Sequence, residues 1–443
     1  MLRLVVRRDQ EASPAPARQG RFQEIQAGMG LPRARPAKEQ SAGHAAESSP
    51  PSRQLPPLGG LRIVEPPPPS AMRAPLNRSV VVLGTGSYLP ERRVTNPALR
   101  DLVSNYDEAH SGDFSTWVDR VTHIHERRYV AEGETTATMG AEAARRALDM
   151  AGVKPTELDL IIHASFTPTS AVPGDHSLLA AAIGAKSTAS FQLMGACAGA
   201  IFGMGLAYGM LASKTMRRIL VVGAETITPT IDYSDPLTAI LFGDGAGAVV
   251  LGAVSDSEGG MLPPFSGFDS NPENITLANL HQVPAPRPTG AGQVTIQKSF
   301  LKMLGGPSVL RNAVNAMAHC VRQVLGYRDG EDAALAEGLA RVRLIPHQAN
   351  GRIVDGLTKK LGMEEARVTK TLYKTGNVSA ASNLIGLDYA VRRGSMRVDR
   401  EEGTERILKV HEDRNPIRRG DLVVLPSIGA GYVFGAAAFV HIL

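Results

Sequence analysis

Cysteine is scarce in this chain, with two in 443 residues. That excludes a disulfide framework, leaves each thiol to be explained by packing or by chemistry, and fits a reducing cytoplasm. Long apolar runs are missing as well. Ile219–Val222 and Ala436–Leu443 fall far short of the roughly 18–20 residues a membrane span requires, so no membrane span is expected. Charge excess is confined to one end. Residues 1–76 hold 11 Lys+Arg against 6 Asp+Glu, a difference equal to the whole formal charge of +5, and the remainder is near neutral. A groove for phosphates needs clustered cations; beyond residue 76 only short groups such as Arg217-Arg218 and Lys359-Lys360 occur, so no nucleic-acid partner is expected. The 43% hydrophobic content suffices for one large core or two fused ones.

Residues 1–76 contain 13 of the 30 prolines, including Pro66–Pro69, and almost no periodic apolar pattern. They read as a disordered Pro/Arg-rich extension, an incidental one or the product of an upstream start codon with Met72 as the natural beginning. From Ser79 the texture changes. Val80–Leu83 reads as a buried strand, Gly84–Pro90 as a turn, Thr136–Ala151 as a helix and Leu158–His163 as a strand. Phe191–Cys197 leads into a small-residue helix over Ala198–Leu211, followed by strand Ile219–Val222 and a Gly-rich hairpin, Leu241–Leu251. The second half repeats this order: strand Val342–Pro346, the turn Gly376–Ser382 entering a helix through Val391, strand Leu422–Leu425 and the Gly-rich segment Ile428–Phe439. The expected architecture is a duplicated α/β unit, with one half over 77–255, connecting loops over 256–300 and the other half over 301–443. The charged stretch 395–420 reads as a surface excursion. Duplication would bring the Cys197 turn and the Gly376-Asn377 turn to face one site about a pseudo-twofold axis.

Gly84-Thr-Gly-Ser-Tyr-Leu-Pro follows a strand as a dinucleotide fingerprint would, but Leu89 stands at the third glycine position and Pro90 blocks the helix. His123-Ile-His125-Glu126 alternates as zinc ligands might but lacks a third ligand, and reads as a solvated face. Cys197, between an apolar strand and a run of Ala and Gly, admits two readings. One is a small buried residue, like Cys320 in the apolar periodicity of Ala313–Leu325. The other is a nucleophile whose thiol pKa is lowered by a helix N-terminus. Pro346-His-Gln-Ala-Asn350 ends a strand and Gly376-Asn377 begins a helix, placing His347 and Asn377 where polar residues belong to sites more often than to cores.

Taken together, Gly84–Pro90, Ala196-Cys-Ala-Gly, Phe242-Gly-Asp-Gly-Ala-Gly-Ala, Pro346-His-Gln-Ala-Asn-Gly-Arg-Ile353, Gly376-Asn-Val-Ser-Ala-Ala-Ser and the terminal Gly-Ala-Gly resemble the β-ketoacyl-ACP synthase III family of the thiolase superfamily, over nearly all of Ser79–Leu443. The resemblance implies a homodimeric α/β thiolase fold, βαβαβαββ halves in five αβαβα layers, and no tightly bound cofactor. Cys197 would carry an acyl group taken from a CoA or phosphopantetheine thioester. His347 and Asn377 would serve decarboxylating condensation with a malonyl-type thioester, and the backbone N–H groups of Cys197 and Ala430 would form the oxyanion hole. Arg352, Lys359 and Lys360 would face an acidic acyl carrier protein, with Asn350 beside them, and Phe242 would line the acyl pocket.

Two departures bear on substrate. Family members that prime with acyl-CoA sandwich the adenine between a Trp and a following Arg and carry a second Arg before the Phe-Gly-Asp-Gly motif; here Trp117 is present, Arg120 falls out of register and Pro236 replaces the second Arg. Val172 stands where some members carry a bulky Phe that closes the pocket across the dimer, and a smaller gate admits a longer or branched chain. Two other classes share these residues: an acyltransferase or thioester hydrolase using the same Cys197, and a non-catalytic scaffold that binds carrier protein.

Overall fold

The computed structural model describes residues 80–443 except 171, 256–258, 269–278, 287–292, 301–305, 329 and 443. The extension expected over 1–76 lies outside the described residues. The strands are β1 (Val80–Tyr88), β2 (Arg93–Thr95), β3 (Glu126–Arg128), β4 (Leu160–Ala164), β5 (Ala189–Leu193), β6 (Arg218–Glu225), β7 (Gly245–Ala253), β8 (Phe265–Phe268), β9 (Asn279–Pro286), β10 (Gln293–Phe300), β11 (Val342–Leu344), β12 (Met396–Arg400), β13 (Ile407–Glu412), β14 (Leu422–Gly429) and β15 (Val433–Val440). One sheet runs β1-β7-β6-β4-β5 and the other β11-β14-β15-β8. In both, parallel strands (β4 with β6, β11 with β14) join an antiparallel Gly- and Ala-rich pair (β6–β7, β14–β15).

Strands that read as unbroken apolar runs are those buried on both faces. Along β6, Ile219 and Val221 face a central core while Leu220 and Val222 face an outer one. Along β14, Val423 and Leu425 face the same central core and Val424 the opposite outer one. The central core is filled by two helices, Gly199–Ala212 through Ile201 and Met204 and Ser382–Arg392 through Leu384 and Leu387. The Thr136–Ala151 helix covers the outer face of the first sheet, and the Gly306–Val324 and Gly351–Leu361 helices cover that of the second. The result is five layers, αβαβα, with the Cys197 helix in the middle.

Three expectations change. Gly84–Tyr88 is not a turn but the continuation of β1, past a register shift between Val82 and Gly84. Its glycines serve packing: a Cβ on Gly84 would lie 2.4 Å from the Ala147 carbonyl oxygen of the covering helix. The 256–300 stretch is not only loops. β8 already belongs to the second sheet, and β9 pairs with β10 as an antiparallel hairpin. Residues 395–420 contain a second hairpin, β12–β13, in which Val398 pairs with Val410 while charged residues alternate outward; Met396, Ile407 and Val410 cluster with Tyr373. High charge masked the strands, and a register shift between Asp399 and Arg400 breaks the period in β13, where Ile407 and Val410 are buried and Leu408 is exposed.

Candidate active site

β5 ends just before Cys197, which sits in a 3₁₀ turn, Ala196–Ala198, that feeds the central Gly199–Ala212 helix. Ala196 adopts φ +46, a left-handed conformation that costs a non-glycine residue roughly 1–2 kcal/mol. The second sheet comes close: a Cβ on Gly429, at the end of β14, would lie 2.8 Å from the Cys197 nitrogen, so only glycine fits there. Cys197 is 8% exposed. Its sulfur accepts a hydrogen bond from the Ser379 hydroxyl at 3.2 Å, and its own N–H and that of Ala430 are directed at it. Burial nevertheless dominates and pushes the thiol pKa up to about 11, with the Glu225 carboxyl adding to the rise. Against the expectation of a helix-activated thiolate, desolvation here outweighs the turn's donors and favours the neutral thiol.

His347 follows β11 and is anchored by its N–H to the Pro426 carbonyl at 2.9 Å. It is 1% exposed, and burial lowers its pKa to about 3, so the ring is neutral. Its Nδ1 lies 2.5 Å from the Ser382 hydroxyl, which also faces the Gln348 N–H at 3.4 Å. Donation from Ser382 to Nδ1 would leave the imidazole hydrogen on Nε2, as a donor for the cavity. Asn377 is fixed at three points. Its N–H donates to the Leu241 carbonyl at 2.8 Å, its carbonyl accepts from the Gly243 N–H at 3.1 Å, and its side-chain Oδ1 accepts from the Ser379 N–H at 2.8 Å. With Oδ1 occupied, the amide NH₂ is the end left for the cavity. Gly376, at φ +65, makes the turn that sets this up.

Cys197, His347, Asn377, Phe242 and Ala430 line one cavity of about 490 Å³, whose apolar walls include Phe166, Leu237, Ile240, Val309 and Leu310. Asn350 and Arg352 line it from the start of the Gly351–Leu361 helix. Asn350 is committed internally, its Oδ1 capping that helix at the Arg352 N–H and its Nδ2 donating to the Val121 carbonyl at 3.0 Å. Arg352 is exposed, as are Lys359 and Lys360 at the far end of the same helix, outside the cavity lining. Trp117 does not line the cavity; it packs against Tyr106 and Phe114, with ring centroids 4.9 and 5.8 Å away. Arg120 is exposed and also off the cavity, because one step along the Phe114–Thr122 helix it is Val121 and Thr122 that face inward. Val172 is 90% exposed and off the cavity of its own chain. His123, Ile124 and Glu126 are buried rather than on a solvated face, with His123 Nδ1 3.2 Å from an Asp355 carboxylate oxygen.

Sequence reading passed over Ser379, Ser382, Gln348 and Glu225. The serines stand two and five residues after Asn377 at a helix entry, a spacing that marked them as partners of whatever the turn holds. Gln348 ties its loop together, donating to the Pro346 and Thr369 carbonyls and accepting from the Thr371 N–H. Glu225 is fully buried at the end of β6 and accepts hydrogen bonds from Ser165, Phe166 and Thr167. Burial raises its pKa to about 7.

Models of the 3-oxoacyl-[acyl-carrier-protein (ACP)] synthase III family and its C-terminal region match residues 191–267 and 342–401. A β-ketoacyl-[acyl-carrier-protein] synthase III of Rhizorhabdus wittichii is 35% identical over 362 residues, covering 82% of this chain and 99% of the relative. The chain belongs to this family. The fold agrees. 3-Oxoacyl-[acyl-carrier-protein] synthase III of Aquifex aeolicus superposes with a TM-score of 0.64 at 31% identity, over 82% of this chain and 100% of that one. The priming β-ketosynthase of the R1128 polyketide pathway superposes at 0.65 and 29% identity, over 86% and 99%. The five-layer arrangement is thus the thiolase fold of synthase III enzymes, and the two matched segments span the Cys197 turn and the His347 and Asn377 loops.

Proposed function

We propose that this synthase III carries an acyl group on Cys197 and condenses it with a malonyl-type thioester. In the first step the sulfur attacks the donor carbonyl. A carbon–sulfur bond forms to Cys197, the donor's carbon–sulfur bond breaks, and the free thiol of the carrier arm leaves with a proton. The N–H groups of Cys197 and Ala430 hold the oxyanion. In the second step the malonyl thioester loses carbon dioxide. The electron pair released forms an enolate, whose oxygen accepts from His347 Nε2–H and Asn377 Nδ2–H, and its carbon attacks the acyl-Cys197 carbonyl. The new carbon–carbon bond forms as the sulfur departs to regain a proton. A neutral His347 suits this role, since a neutral imidazole N–H donates a hydrogen bond to the enolate without handing over its proton and quenching it.

The observation that carries this reading is that three residues spread over 180 positions of sequence share one apolar cavity, with the Ser382 hydroxyl against His347 Nδ1 and the Ser379 N–H on Asn377 Oδ1. Transfer to water or another acceptor needs no such pair, so hydrolysis is the weaker reading. For the donor, Arg120 off the cavity, Pro236 in place of the second Arg, and Trp117 packed among aromatics disfavour a CoA nucleotide. Arg352 beside the cavity, with Lys359 and Lys360 along the same helix, favours an acidic acyl carrier protein. The apolar walls favour an acyl group longer than acetyl, whether for fatty acid initiation or a polyketide-like pathway. A homodimer fits the open edge of β5, where Met194 is 69% exposed near Phe191, and would put Val172 at a partner's pocket. The buried reduced thiol fits a cytoplasmic enzyme.

Intact-mass measurement of Cys197 acylation, with matched CoA and carrier-protein donors of increasing chain length, tests donor and pocket together. Acylation by medium-chain carrier donors ahead of their CoA counterparts is expected, followed by carbon dioxide release when malonyl carrier protein is added. Absence of any adduct across the panel rules the reading out.

A further inference from the structure

The β12–β13 hairpin reaches the cavity indirectly. At its second strand, the Ile407 N–H donates at 3.0 Å to Oδ2 of Asp119, a carboxylate 2% exposed within the Phe114–Thr122 helix. The other oxygen, Oδ1, accepts from the Asn96 amide at 2.9 Å and lies 3.8 Å from His125 Nδ1. Ile407, itself 2% exposed, packs with Met396, Val410 and Tyr373, and the Tyr373 carbonyl accepts from the His125 N–H at 3.0 Å. Two and three residues beyond Asp119 stand Val121 and Thr122, which line the cavity, and on the opposite side Asn350 holds the Val121 carbonyl while Asp355 faces His123. This rim segment is therefore gripped from two sides: by the Gly351–Leu361 helix, which borders the site, and by a hairpin that lines none of it.

We propose that the β12–β13 hairpin is a positioning element which, through the Ile407–Asp119 bond, sets the cavity rim for donors whose pantetheine arm must pass it. This rests on the acyl-cysteine reading above. A preordered rim lowers the cost of binding a long arm and leaves the chemistry at Cys197 unchanged. A thioester of N-acetylcysteamine, which keeps only the thiol end of that arm, serves as the control donor.

The test uses two variants of the full chain. In one, residues 398–410 are replaced by Asn-Gly, which closes the ladder at the Arg397–His411 pair with a two-residue turn. In the other, Ile407→Pro removes the N–H at a strand-initial position that tolerates proline and trims the buried side chain, with Ile407→Val as the control that trims the side chain but keeps the N–H. Cys197 acylation is followed by intact mass with an acyl carrier protein donor and with the N-acetylcysteamine thioester of the same acyl group. The expected result for both variants is a half-saturating carrier-donor concentration raised about tenfold at unchanged maximal rate, with the short donor within about twofold of wild type and Ile407→Val like wild type. Should the shortened chain not fold, Ile407→Pro against Ile407→Val decides alone. Equal loss with both donors, or no change with either, overturns the proposal. If wild type takes acyl groups from neither donor, the acyl-cysteine reading itself is lost, and the brace with it.

Discussion

The N-terminal half leaves β5 through Ala196, at φ +46, into the turn Ala196–Ala198 and the Gly199–Ala212 helix; the C-terminal half passes through Ser379, at φ +45, into Ser379–Ala381 and the Ser382–Arg392 helix. These are the same strained entry into the same central layer, in contact across the pseudo-twofold axis. They differ in what they hold. In the first, the residue after the strained one is Cys197, the proposed nucleophile. In the second that place is Ala380, and the functional side chains lie around it: Asn377 before, Ser379 donating to the sulfur, Ser382 holding His347. The two turns share a backbone conformation and differ in what they carry: a thiol in one, amide and hydroxyl groups in the other.

Removing the reactive side breaks the comparison most severely: Cys197→Ser is expected to abolish the acyl adduct by intact mass, whereas a persisting adduct would place the nucleophile elsewhere. Next come the donors. His347→Ala or Asn377→Ala should slow condensation by about 10²–10³, the worth of one preorganised donor, while carrier-driven acylation of Cys197 continues. Equal loss of both half-reactions in a folded variant would erase the division of labour between the halves.

The strand ends differ too, since β6 closes on buried Glu225 and β14 on Ile428-Gly429, which does not titrate. With its pKa raised to about 7 by burial, Glu225 favours the folded state when protonated. That contribution is fully present below the ordinary carboxyl range, near pH 4.5, and is lost as pH rises through about 7. Glu225→Gln should match wild type near pH 4.5 and be more stable at pH 8, by up to on the order of 3 kcal/mol; thermal melts that run parallel across this range would refute the point. The geometry allows it, because Oε2 takes the close hydrogen bonds and Oε1 only a 3.4 Å contact.

Smaller effects separate the two serines. Ser382→Ala, which frees the His347 ring, should cost about tenfold in condensation with acylation unchanged. Ser379→Ala should instead slow alkylation of Cys197 by iodoacetamide a few-fold, since its hydrogen bond partly offsets the burial that raises the thiol pKa. In wild type, with that pKa at about 11, the alkylation rate should keep rising through pH 10. A plateau near pH 8 would mean a thiol activated at rest.

Much of this was legible in the order of motifs. Helix Thr136–Ala151 matched to the residue because its small apolar positions keep a 3.6 period and Gly152 closes it at φ +64. Strand cores at Ile219–Val222 and Leu422–Leu425 were evident because both faces are buried. What failed depended on neighbours distant in sequence. Gly84 and Gly86 look like a turn until a helix is laid across them, and the β12–β13 hairpin looks like a solvated excursion until Tyr373 is beneath it. Arg120 and Trp117 fell outside the cavity because a helix rotates about 100° per residue, so one position decides which side chain enters.

The sequence alone determined the chemistry available: a cysteine and an asparagine at corresponding turns of a repeated unit, and a histidine at a strand end. Residue types and spacing are local properties, and they carry that much. Only the tertiary structure decided the state of those groups. Burial favours the thiol at Cys197 and the neutral ring at His347, and the Ser382 hydroxyl and the Ser379 N–H lie against His347 Nδ1 and Asn377 Oδ1. Protonation and hydrogen-bond direction depend on what surrounds a group in space, and the chain order does not contain that.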